Sequence, residues 1–80
     1  MFSSMKIQPF AEDQWLKIRL NPTGSIEVKR VERTIVVGCE DNDSIELGFD
    51  SSESRQTLQT LGQTIYISLS SRDCLTISIV

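Results

Sequence analysis

"DSSESRQTLQTLG", residues 50–62, is the stretch whose reading decides the fold. It is dominated by Ser, Gln and Thr, and its two large apolar residues, Leu58 and Leu61, stand one helical turn apart. Asp50 is placed to cap a helix, with Glu53 three residues later at capping-box spacing. Gly62 supplies the left-handed stop that ends many helices. The spacing predicts one short helix over about 51–61. Two leucines make too narrow a stripe to hold a helix alone in water, so this helix is expected to cover an edge or face of a sheet.

On both sides of it the period is two. Before it, "SIELGF" (44–49) sends Ile45, Leu47 and Phe49 one way and Glu46 the other. After it, "QTIYISLSS" (63–71) and "CLTISIV" (74–80) alternate through Ile65, Ile67, Leu69 and Leu75, Ile77, Ile79, joined at "SSRD", which reads as a hairpin. As an open edge, the last of these strands invites pairing with a second copy, a route to a homodimer.

Nearer the start, "DQWLKIRL" (13–20) points Leu16, Ile18 and Leu20 inward and Trp15, Lys17 and Arg19 outward. "NPTG" (21–24) is a turn. In "SIEVKR" the inward residues Ile26 and Val28 are even-numbered, but Val31, Ile35, Val37 and Cys39 are odd. A slip of one residue turns a strand inside out, so a bulge or tight reversal belongs near 30–33, separating strands at 25–30 and 33–39. The expected fold is thus α+β and β-rich: one domain over 1–80, a small antiparallel sheet of five to six strands, extended structure possible at 5–10, and the short helix before a C-terminal hairpin.

Composition agrees with a β-rich domain. Ile and Val together number 14 against 7 Leu and 1 Ala, and β-branched side chains suit a pleated surface. Net charge is −3, without the basic surplus that direct nucleic-acid binding needs. No apolar run is long enough to span a membrane as a helix, and no secretory signal is read at the start, so a cytoplasmic product is expected. Cys39 and Cys74 lie 35 positions apart, neither a metal spacing nor a redox pair, and are expected as free thiols.

Chemistry is sparse. The chain has no His, which removes Ser-His and Cys-His nucleophile pairs. No glycine pattern matches a phosphate loop. The expectation is no catalytic residue, no cofactor and no metal. The acidic run "CEDNDSIELGFD" (39–50) fails as an EF-hand loop after two ligands, since Ile45 and Glu46 fall where a ligand and a glycine belong. A turn between strands explains Glu40, Asp41 and Asp43 directly.

Charge distribution is the clearer signal. Residues 17–33 carry a balance of +3, and residues 40–53 carry six acids and no base. Candidate interaction residues are Trp15, Lys17, Arg19, Glu40, Asp41, Asp43 and Glu46, an aromatic beside basic residues and an acidic segment. The expected role is a non-enzymatic protein-interaction module with a protein partner: an adaptor, regulator or assembly component. The alternative is an acidic inhibitor of phage or mobile-element type that mimics nucleic acid through residues 40–53. A weaker one is a ligand- or sugar-binding β module that stacks on Trp15 or Tyr66.

Overall fold

The computed structural model describes residues 3–8, 10–20, 24–40, 44–50, 55–60 and 62–79. Among them the chain forms eight strands and no helix: β1 (Ser3–Ile7), β2 (Leu16–Arg19), β3 (Ser25–Val31), β4 (Thr34–Cys39), β5 (Ile45–Gly48), β6 (Arg55–Thr60), β7 (Gln63–Leu69) and β8 (Leu75–Ile79). They build two antiparallel four-stranded sheets, ordered β2-β3-β4-β5 and β1-β8-β7-β6. The fold is all-β, which corrects the α+β expectation of five to six strands and a helix.

The correction turns on residues 55–60. There the chain is a strand, β6, pairing Leu58 with Ile65 and Thr60 with Gln63 in β7. Leu58 and Thr60 are buried while Arg55, Thr57 and Gln59 are exposed, a period of two. Residues 51–54 and Leu61, the rest of the expected helix, lie outside the described residues, as do the "NPT" of the first turn and Asp41–Asp43. The physical reason is competition. A helix here gains its own hydrogen bonds and one narrow apolar stripe. A strand satisfies the outer backbone edge of β7 and still buries Leu58. Gly62 has φ +74°, so its left-handed conformation serves the reversal between β6 and β7 instead of a helix stop.

The phase change at 30–33 has a simple cause. β3 and β4 are joined by the two residues Glu32 and Arg33, and the register pairs Val28 with Val37 and Arg30 with Ile35. A two-residue reversal places even-numbered residues opposite odd ones, so both strands keep their apolar sides on the same face.

The inner faces of both sheets share one core. Phe49, Ile26, Ile35, Ile65, Ile67, Leu69 and Leu75 are among its fully buried members. Leu16, Ile45 and Ile79, expected inside, are half-buried at its margin, and Phe10, not expected, is a full member at 5% exposure. A Cα radius of gyration of 11.7 Å matches the roughly 12 Å of a compact chain this long. β8 is not an open edge: β1 pairs it on one side, Met5 opposite Ile77, and β7 on the other. The homodimer route through β8 therefore has no free edge to use.

Two chain crossings connect the sheets, and polar contacts pin both. At the β1–β2 crossing, the Phe10 amide donates to the Asp73 carbonyl (2.9 Å) and the Arg30 Nε donates to the Phe10 carbonyl (2.6 Å). At the β5–β6 side, the Gln56 side-chain amide donates to the Gly48 carbonyl. Between the two hairpin ends, Arg33 donates to the carbonyls of Phe49 (3.1 Å), Leu69 (3.1 Å) and Ser70 (2.6 Å). Arg30 and Arg33, counted in the sequence with the basic segment, are thus structural ties. Both face Asp73, at 3.6 and 3.4 Å.

Candidate functional site

Each sheet has one face in the core and one in solvent, so the site question concerns the two outer faces. On the β2–β5 sheet, the register pairs Leu16 with Val28 and Lys17 with Glu27. Continued by one residue, it sets Trp15 opposite Lys29. The Lys29 Nζ lies 5.0 Å from the Trp15 ring centroid, within cation–π range, and Trp15 is still 50% exposed. Lys17 and Arg19 are exposed on the same face, as the alternation predicts.

Beside the indole is an open depression of about 320 Å³, lined by Trp15, Ser25, Glu27, Gly38, Cys39 and Glu40 among others. Glu40 accepts a hydrogen bond from the Ser25 hydroxyl at 2.8 Å. Glu46 is exposed on β5, opposite half-buried Val36. The aromatic–basic patch and the acidic segment were read from sequence as separate surfaces. The structure joins them, because Glu40 and Trp15 line one depression. Asp41 and Asp43 lie outside the described residues.

The β1-β8-β7-β6 sheet presents a different outer face. One row across all four strands reads Lys6, Thr76, Ser68, Arg55, and the next reads Ser4, Ser78, Tyr66, Thr57. The Arg55 guanidinium stacks over Tyr66, its carbon 4.3 Å from the ring centroid. A depression of about 340 Å³ is lined by Arg55, Tyr66, Ser68, Thr76 and Ser78. A second, of about 260 Å³, shares Ser68 and Thr76 and reaches Lys6. Sequence reasoning flagged Tyr66 but neither Arg55 nor Lys6, since their adjacency depends on β6 being a strand and on β1 pairing β8.

Among the described residues, no three His, Cys, Asp or Glu side chains gather as a metal site, and no helix is long and apolar enough to cross a membrane. Cys39, at the end of β4, and Cys74, in the loop before β8, are free and half-buried. No family model, curated protein or solved structure matches the chain.

Proposed function

We propose that the chain is a non-enzymatic protein-interaction module that docks through the outer face of the β2–β5 sheet, with Trp15 as its anchor. The observation that carries this reading is the half-exposed indole, oriented by Lys29 and bordering a depression. Indole is the side chain most enriched at binding hot spots, and an anchor held in place before contact loses less entropy on docking. Val36, half-buried, and Val31, 38% exposed, add apolar area. Lys17, Arg19, Glu27, Glu40 and Glu46 supply charges of both signs around it, the arrangement of a rim that sets orientation and partner choice. The encounter is placed in the cytoplasm, a reading supported by the two unpaired thiols.

The test uses the single Trp. Emission should be red-shifted and accessible to iodide in the free protein. A partner captured by the intact chain should be lost with Trp15→Ala and kept with Arg55→Gln, which alters the opposite face. A blue, protected emission, or capture indifferent to Trp15→Ala, contradicts the reading. Binding that survives Trp15→Ala but collapses with salt and with Glu40→Gln would transfer the role to the acidic segment.

A further inference from the structure

We infer that the outer face of the β1-β8-β7-β6 sheet is a second binding site, for a saccharide bearing anionic groups. This does not rest on the Trp15 reading and uses the opposite side of the molecule.

Charge is the first support. The chain is acidic, at −3, yet the described outward residues of this sheet include two cations, Lys6 and Arg55, and no Asp or Glu. Three interstrand spacings separate the two, so their Cα atoms stand roughly 14 Å apart. The described acids lie on the other sheet and in the loops. An anion approaching this face therefore meets attraction at both ends of one row and no repulsion along it.

Arg55 is the second. Its guanidinium carbon sits over the Tyr66 ring, 4.3 Å from the centroid, a cation–π contact that holds the group on this face, and a guanidinium fork suits bidentate contact with phosphate, sulfate or carboxylate. Tyr66 is accordingly not an open stacking platform. It is a positioning residue for Arg55.

The hydroxyls are the third. Between the cations stand Ser68, Thr76 and Ser78, lining the depression. A hydroxyl both donates and accepts, which matches the hydroxyls of a sugar. A protein partner fits less well. No Leu, Ile, Val, Phe or Trp faces outward on this sheet among the described residues, and Met5, 38% exposed, belongs by register to the inward row with Ile77, so the face offers a protein partner little apolar area. The backbone of β7 and β8 is already paired on both sides, so an added strand would pair along the β1 or β6 edge and not lie on this face.

The experiment is titration of the full chain with maltotetraose and with its phosphorylated, sulfated and carboxylated derivatives, with inorganic tripolyphosphate as an anion lacking sugar hydroxyls. At least one charged derivative should bind roughly tenfold tighter than neutral maltotetraose and than tripolyphosphate; which derivative wins identifies the anionic group. Arg55→Lys keeps the charge but loses the fork and should weaken binding about fivefold or more. Lys6→Gln and the pair Ser68→Ala/Thr76→Val should also weaken it, while Trp15→Ala should leave it unchanged. All these sites are on the outer face, so an unchanged melting temperature shows that each variant is folded. Absence of binding by every charged derivative overturns the proposal. So does equal binding of tripolyphosphate, or indifference to Arg55→Lys.

Discussion

The Arg30 Nε donates to the carbonyl of Phe10, 20 positions away, at 2.6 Å, with the arginine only 9% exposed. This bond locks the crossing from β1 to β2 while placing the Phe10 ring in the core. The same guanidinium donates to the Glu32 carbonyl (3.0 Å) and faces Glu12 and Asp73 at 3.7 and 3.6 Å. Its desolvation is offset because it meets two carbonyls and two carboxylates.

Arg30→Met keeps most of the side-chain volume and removes every donor. It leaves the Phe10 carbonyl without its partner and should cost about 2–4 kcal/mol. For a domain this size that is a fall in melting temperature of roughly 10–25 °C. Arg30→Lys should fall between, since an ammonium keeps the charge but does not reach the same set of acceptors. A thermal melt of the two variants checks this; an Arg30→Met variant melting within a few degrees of the parent would show that the crossing does not depend on the bond.

Asp73 separates two effects at one position. It faces Arg30 and Arg33, and its backbone has φ +60°. Asp73→Asn keeps a residue that tolerates the left-handed region and loses only the charge. With the side chain 38% exposed, that loss should be about 1 kcal/mol. Asp73→Ala adds the steric cost of that region and should be about another 1 kcal/mol less stable. Denaturant titration of both variants measures the difference; equal stabilities would remove the backbone contribution.

Glu32 opens the reversal between β3 and β4 with φ +55°, a conformation that glycine adopts without strain. Glu32→Gly relieves that strain but adds freedom to the unfolded chain. The net expectation is a gain of about 0.5 kcal/mol, or roughly 2–4 °C in melting temperature. A loss instead would mean that the freedom glycine adds to the unfolded chain outweighs the strain relieved; the contact from the Glu32 backbone amide to the Glu12 carboxylate (3.3 Å) is kept by glycine and does not enter the difference.

Most strands were legible because alternation of Ile, Val and Leu is a local property. The reversal at Glu32–Arg33 was legible for the same reason, since it flips the parity of the apolar positions. β6 was not. Gln, Arg and Leu favour helices, Asp50 and Glu53 imitate a cap, and Gly62 suits a helix stop and a hairpin equally. What decides between them is an unfilled edge on β7, and an unfilled edge is not written in residues 50–62. β1 was legible only as extended structure at 5–10; its pairing with β8, at the other end of the chain, was hidden, and with it went the true environment of β8. Trp15 was legible as outward-facing. Its contact with Lys29 follows from the β2–β3 register, but the depression shared with Glu40 requires β4 beside β3. The hydroxyl face was invisible, since Ser4, Ser68, Thr76 and Ser78 look like ordinary outward positions until four strands lie side by side.

The central claim is that residues 55–60 form a strand, because that leaves the described residues without a helix and sets Arg55 over Tyr66. The direct measurement is the carbon chemical shifts of residues 55–60 by NMR, with contacts across the Leu58–Ile65 and Thr57–Tyr66 pairs. Extended-strand shifts and cross-strand contacts at those pairs are the expected result. Helical shifts with contacts between residues three apart, such as Leu58 and Leu61, would contradict it and dissolve the Arg55 face.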